Sequence, residues 1–315
     1  MAFNYKKDQQ NIVIITMDMD GRSTNVINEE FSQLWIEALE KLENEKILTG
    51  VIITSAKKTF LAGGDLDMIF KLDDPMLTFE LAENLKERQR RLENLRKPIV
   101  AAINGTALGG GLEIALCCNY RVVLNDPNIK IGFPEVTLGI LPAAGGIVRS
   151  IRLLGLETAL PFLMEGKQVN PDTAKKVGFI DDTVETLEEL FTKAKQYILT
   201  NSEVCQPWDK KGYKIPGGTA RHPKIAQMLA IAPAILRKKT QGNYPAPEAI
   251  LSAAAEGSLV DFETASRIES RYFVELVTGK VAKNMINAFW FQLNKIKSGS
   301  SRPKDIHYIE TNKLG

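Results

Sequence analysis

The chain has 315 residues, 44% of them hydrophobic and 25% charged, proportions that suit a globular protein with a sizeable core and exclude a disordered or fibrous one. With 40 Lys and Arg against 38 Asp and Glu the net charge is +2, so composition supplies no field to attract nucleic acid or an anionic membrane. Residues 1–10 are polar and mixed in charge, with no apolar core of a signal peptide, and no run of about 18 apolar residues follows, so neither a leader nor a membrane span is expected.

Three short β-branched runs read as buried strands, at Asn11 to Met17, Leu48 to Thr54 and Pro98 to Ile103. Between them, Phe31, Leu34, Trp35, Ala38, Leu39 and Leu42 recur at helical spacing, and Leu77, Leu81, Leu85, Leu92 and Leu95 do so again. Tyr120 to Leu124 and Ile129 to Gly132 read as strands around the turn Asn125-Asp126-Pro127-Asn128, followed by helices from about Ala144, Glu157 and Pro171. Asn170 as cap, Pro171 at the first helical position and Gly178 beyond the end delimit the last of these. Thr186 with Glu189 predicts a capping box for a helix ending near Thr200. Gln206 to Pro223 has the glycines, prolines and basic residues of a connector, which puts a boundary near residue 200. Helices are expected beyond it at Ala230 to Arg237, Ala246 to Gly257 and Phe262 to Phe291, and 298–303 is linker-like.

The two histidines, His222 and His307, stand outside any glycine-rich or acidic constellation, which disfavours a Ser-His-Asp triad or a histidine-built zinc site. Cys117, Cys118 and Cys205 offer neither an even disulfide framework nor C-x-x-C metal spacing, as expected of a reducing cytoplasm. Chemistry should therefore run on carboxylates. The strand Pro98 to Ile103 leads to Gly109-Gly110-Gly111-Leu112-Glu113 at the start of an apolar helix. Bare backbone at a helix start lets a ligand approach unpaired N–H groups at the positive end of the dipole, an anion or oxyanion site. Neither nucleotide-binding pattern fits: a dinucleotide fingerprint needs glycine where Ile114 stands, and a P-loop needs Lys and Ser/Thr where Gly111 and Leu112 stand.

Glu113 sits in a run otherwise as apolar as a core, where burial should raise its pKa toward a useful value; the competing reading is an ion-paired structural carboxylate. A second acid, Glu135, follows Pro134 and precedes Leu138-Gly139-Ile140-Leu141-Pro142-Ala143, suggesting a pair that divides the roles of acid and base. Upstream, Ala62-Gly63-Gly64-Asp65-Leu66 frees another backbone amide, with Asp65 read as a helix cap. Lys57 and Lys58 are ordinary solvated charges that would also suit a phosphate-bearing substrate.

At these residues the chain resembles the crotonase (enoyl-CoA hydratase/isomerase) superfamily, whose runs A-G-x-D-[LI], A-L-G-G-G-x-E-[LI]-A and P-E-x-x-L-G-x-x-P all occur here in order. The 22 positions from Glu113 to Glu135 and the segment Tyr244-Pro245-Ala246-Pro247 are similar to the amino-terminal hydratase part of the multifunctional fatty-acid oxidation members. The resemblance implies an α/β fold, a spiral of repeated β-β-α units with a C-terminal helical region: a core over 1–200, a helical extension over 201–297 and a linker over 298–315. No glycine fingerprint of a dinucleotide-binding domain follows, so it also implies an amino-terminal portion, natural or engineered, without dehydrogenase activity of its own.

By motif position the resemblance assigns Glu113 and Glu135 as catalytic, Gly64 and Gly110 as the oxyanion hole, and Ala62, Gly63, Asp65, Leu66, Gly109, Pro134, Pro142 and Ala143 as substrate-binding. The family commonly has Ala where Gly64 stands and Gly where Ala143 stands. The expected activity is hydration of trans-2-enoyl-CoA in fatty-acid β-oxidation. Alternatives are Δ3,Δ2-enoyl-CoA isomerisation, alone or in addition, and a CoA-binding structural module inactive as a fragment. The thioester of coenzyme A is expected as substrate with no metal or redox cofactor. Partners are expected to be copies of the same chain, as a trimer, or a thiolase subunit, in the cytoplasm, with no nucleic acid.

Overall fold

A computed structural model describes residues 3–302. The later part of the expected linker and His307 lie outside the described residues. The main sheet has six strands in the order β1 (Phe3–Lys7), β2 (Ile12–Met17), β3 (Gly50–Ser55), β4 (Ile99–Ile103), β6 (Tyr120–Leu124), β9 (Asp182–Val184), all parallel except the β1–β2 hairpin. A smaller sheet joins β5 (Ala107–Leu108), β7 (Ile131–Gly132) and β8 (Gln168–Val169). Parallel bridges Ile27↔Gly64 and Leu61↔Ala107 continue the small sheet toward the N-terminus, so it steps through the chain in the same sense as the main one.

The helices are α1 (Glu29–Glu43), α2 (Leu66–Phe70), α3 (Pro75–Glu93), α4 (Gly110–Leu116), α5 (Gly146–Leu154), α6 (Leu156–Glu165), α7 (Pro171–Val177) and α8 (Leu187–Thr200). They continue with α9 (Pro223–Thr240), α10 (Pro245–Gly257), α11 (Phe262–Val277), α12 (Lys280–Ile286) and, after a π-helical turn, α13 (Leu293–Lys297). A 3-10 turn spans Glu135–Leu138. A long strand, a short strand or bridge, then a helix: this unit recurs from β2, β3 and β4, and builds the expected spiral.

Alternation along the parallel strands feeds two cores. Ile12, Ile52, Val100, Ala102 and Val122 face Leu190, Ala194 and Ile198 of α8, while Val13, Ile15, Val51, Ile53, Ala101 and Ile103 face the main interior. That interior also takes Ile225, Leu236, Ile250, Ala254, Phe273 and Val277, so the apolar cluster is continuous across residue 200. No helix among the described residues is long and apolar enough to cross a membrane.

Several expectations meet their elements closely. Asn170 accepts from the Thr173 amide, Pro171 opens α7, and Gly178 closes it at φ +100°. Thr186 accepts from the Glu189 amide, but Glu189 returns its bond to the amide of Glu185 rather than to the cap itself. The polar N-terminus holds a strand, β1, which was not expected because only Phe3 of Phe3–Lys7 is buried and its partner is β2 alone. The single helix expected over Phe262 to Phe291 is broken at Thr278-Gly279 into α11 and α12, with a π-helical stretch at Asn287–Gln292. In α3 only part of the leucine stripe is inside: Leu92 is buried and Leu85 packs half-buried against the core, but Leu77 and Leu81 are exposed, and Thr78, Ala82, Lys86, Gln89 and Glu93 are buried as well. The connector after residue 200 is tied down, since buried Gln206 donates from Nε2 to the Cys117 carbonyl at 2.6 Å.

Candidate active site

Two loops leaving the main sheet carry the glycines. After β3, buried Asn25 clamps the chain: its Oδ1 accepts from the Met19 amide at 3.0 Å, and its Nδ2 donates to the Met17 carbonyl at 3.1 Å and Ser55 Oγ at 2.9 Å. Asn104 Nδ2 donates to the carbonyls of Ser55 and Lys57 at 3.0 and 2.8 Å. The Ile27 amide donates to Gly63 O at 2.8 Å and the Asp65 amide to Ile27 O at 2.9 Å, so Gly64 lies between two bonded positions while its own N–H has no acceptor among the described residues. Gly110 is the first residue of α4, where an amide has no intrahelical acceptor. The loops touch: a Cβ on Gly63, whose φ is +98°, would lie 3.3 Å from Leu108 O and 3.7 Å from Gly110 N. Two unspent N–H groups thus stand on loops in contact, with the bare backbone of Gly63 and Gly109 between them.

Glu113 follows on α4 and is 3% exposed. Among the described residues it has no ion-pair partner; its Oε1 accepts from the amides of Ala144 at 2.7 Å and Gly146 at 2.8 Å, at the N-terminus of α5. Glu135 opens the 3-10 turn after Pro134, half-buried, with its carboxylate over Gly109: a Cβ on that glycine, at φ +53°, would overlap Oε1. Glu135 Oε2 is buried without a hydrogen-bond partner among the described residues.

Burial raises Glu113 well above the ordinary carboxylate range, helped by the charges of Glu135 and Glu269 and opposed by the two amides. Burial likewise pushes Glu135 up to about 8, its own backbone amide acting in the opposite direction and Glu269 in the same one. Charges on neighbouring buried carboxyls raise one another's proton affinity, so the two titrate as a unit. The two amides on Glu113 favour the charge there, and the orphaned oxygen of Glu135 favours the proton there.

The remaining expected residues fall into place unevenly. Pro142 lies beside Glu113, both in contact with a Cβ position on Gly146. Ala143 is half-buried, as are Pro134 and Leu66, the first residue of α2. Ala62 is exposed, and its amide is taken by Asn25 O at 3.0 Å. Asp65 stays out of the carboxylate cluster: it caps α2 by accepting from the Asp67 amide at 3.0 Å and pairs with Arg22 at 3.0 Å. Lys57 pairs with Asp18 at 2.6 Å, and Lys58 is exposed. His222 is exposed before α9; Cys117 and Cys118 are buried free thiols.

The unexpected member is Glu269 on α11, fully buried, accepting from the amides of Gly145 at 2.7 Å and Val148 at 3.1 Å. A signal was available. Glu269 stands at helical spacing on the stripe Phe262, Ala265, Ser266, Ser270, Phe273 and Val277, every member of which is buried.

Residues 7–203 match the family described as Enoyl-CoA hydratase/isomerase. The chain belongs to the enoyl-CoA hydratase/isomerase family. Among curated members it is similar to the fatty acid oxidation complex subunit alpha of Shewanella halifaxensis (strain HAW-EB4), 34% identical over 312 residues, covering 98% of this chain and 44% of that protein. The subunit of the same name from Shewanella sp. (strain MR-4) is 35% identical over 296 residues, covering 92% and 41%. The chain therefore spans less than half the length of these relatives. The family's crotonase fold is shared with solved structures. Human mitochondrial delta3-delta2-enoyl-CoA isomerase superposes with TM-score 0.67 at 24% identity, over 94% of this chain and all of that one. Enoyl-CoA hydratase from Bacillus halodurans gives 0.64 at 23% identity, over 91% of this chain and 100% of that one.

Proposed function

We propose that the chain hydrates trans-2-enoyl-CoA to 3-hydroxyacyl-CoA, a step of fatty-acid β-oxidation. The observation that carries this reading is the juxtaposition of two unspent amides, those of Gly64 and Gly110, with two buried carboxyls of unequal surroundings, Glu113 and Glu135. The thioester oxygen accepts from both amides, each fixed donor lowering the barrier by ~3 kcal/mol as enolate charge develops. Glu113, as the anion, takes a proton from a water held between the carboxyls; the water oxygen bonds to C3; and Glu135 delivers its proton to C2 as the enolate collapses. Water and proton arrive on the same face, so the addition is syn. Every step uses carboxyls and amides of this chain, with coenzyme A entering only as part of the substrate and no resident metal or redox group required.

Crotonyl-CoA hydration by the chain and by Glu113→Gln and Glu135→Gln tests the proposal. Each variant is expected to lose about 10²–10⁴-fold in kcat with little change in KM; unchanged turnover in either overturns the assignment. Isomerisation of 3-enoyl-CoA is the second reading, favoured by the partnerless Oε2 of Glu135, since one carboxyl can shuttle a proton from C2 to C4 without bound water. Product appearing from 3-enoyl-CoA without 3-hydroxyacyl-CoA distinguishes it. Acyl-CoA binding without turnover would leave the reading of a structural module. A cytoplasmic setting and assembly as a trimer or with a thiolase subunit complete the proposal, sizing of the purified chain with and without thiolase being the check.

A further inference from the structure

Glu269 takes no part in the hydration step, yet both its oxygens are spent on the turn that grips Glu113. The amides of residues 144 to 148 alternate between two carboxylates: Ala144 and Gly146 donate to Glu113, Gly145 and Val148 to Glu269. The same turn is therefore held by both carboxylates. Two N–H donors favour the anion, while burial pushes the Glu269 carboxyl above the ordinary carboxylate range.

Among the described residues, charged and titratable groups stand near Glu269 on α3, α4, α5, α11 itself and the 3-10 turn. From α3 come Lys86, which donates to Ser266 O and pairs with Glu83 at 2.9 Å, and Glu93 with Gln89. From α5 come Arg149, paired with Glu93 at 2.7 Å, and Arg152, which donates to the carbonyls of Gly257 and Val260. Glu113 faces it from α4 and Glu135 from the 3-10 turn. Ser270 on α11 donates to Glu83 at 2.6 Å. Each nearby cation with a carboxylate partner has one of its own: Lys86 has Glu83, and Arg149 has Glu93. Among the described residues Arg152 donates only to carbonyls and the oxygens of Glu269 bond only to amides, so its charge, partly offset by these cations, also acts on Glu113 and Glu135.

We infer that Glu269 is a positioning residue for the Glu113–Glu135 pair: it holds the 144–148 turn against Glu113 and adds a buried carboxylate beside the pair. The inference rests on the hydratase reading, and it makes part of the helical region after residue 200 a component of the site.

Two variants of the full chain test it. Glu269→Gln keeps the size and removes the charge, so the alkaline limb of the kcat profile should move down by at least about half a pH unit, a threefold change in proton affinity. Glu269→Asp keeps the charge but cannot reach both amides, so the limb should stay while kcat falls about tenfold and KM changes less than about twofold. A purely structural residue would lower stability without moving the limb. A Glu269→Gln profile that overlays the parent, an Asp variant with parental kcat, or loss of fold in both variants would overturn the inference; if only the Gln variant fails to fold, the Asp kinetics decide. If the parent does not hydrate enoyl-CoA, the hydratase reading fails by itself. Carboxyl titrations of Glu113 and Glu135 by 13C shift then decide this inference alone, a downward move in Glu269→Gln sustaining it and no move overturning it.

Discussion

The orientation of Glu135 depends on a residue that has no side chain. Gly109 has φ +53°, a region an L side chain occupies only with strain, and a Cβ there would meet the Glu135 carboxylate. Gly109→Ala should therefore fold with a loss of about 1–3 kcal/mol while kcat drops more than 100-fold, because the acid is displaced from the crevice; denaturant melts and crotonyl-CoA kinetics on one sample measure both. Glu135 carries a second prediction through its raised pKa of about 8. Between the ordinary carboxylate range and about pH 8 the folded chain keeps a proton that the unfolded chain releases, so this group's contribution to stability is present at low pH and is lost as pH rises through that window. Glu135→Gln removes the titration. Its Tm relative to the parent should climb from pH 5 to pH 8 and level off above, by several degrees in all. Parental kcat should fall over the same upper range as the acid loses its proton, the limb belonging to the Glu113–Glu135 pair as a unit.

At the scale of elements, an ionic layer beneath the site decides which face of α3 is inside. Glu93 and Arg149 have side chains 0% and 1% exposed and pair at 2.7 Å, and Arg149 also donates to Gln89 and to the Ala144 carbonyl, both at 3.1 Å. Glu93→Gln leaves the guanidinium buried beside a neutral partner and should cost about 3–5 kcal/mol in urea unfolding, with kcat reduced because Ala144 belongs to the turn that holds Glu113. This layer also marks where sequence reading ends. The buried strands, the Asn170-Pro171-Gly178 helix, the triple glycine and Glu113 were readable, since each is announced by its immediate neighbours. The identity of the buried face of α3 was not: leucines at 77 and 81 imitate an apolar stripe, and only α5 and α11 arriving from far along the chain turn Lys86, Gln89 and Glu93 inward. For Glu269 the stripe on α11 signals burial, but its partners are not legible until Gly145 and Val148 arrive to give it donors. The break at Gly279 was missed because Val277 and Ala282 continue the apolar period across it.

For the molecule as a whole, the family match ends at residue 203 while the packing does not. Ile250, Ala254, Phe273 and Val277 are buried in the same cluster as Val51, Ile53 and Leu112, and Glu269 reaches across to the turn at the start of α5. Ile250, Phe273 and Val277, largely removed from water, each contribute about 1.5–3 kcal/mol, and several such side chains act together. Their sum rivals the entire net stability of an ordinary domain, about 5–15 kcal/mol. A chain ending at residue 203 would expose that surface, leave the Gly145 and Val148 amides without their acceptor, and free the turn that orients Glu113. Such a fragment should be insoluble or lack a cooperative melt, and should not hydrate crotonyl-CoA even where soluble. Restoring residues 204–297 should return both the transition and turnover. A fragment that folds cooperatively and retains parental kcat would show instead that the helices after residue 200 are an independent cap, and the integrated core described here would have to be given up.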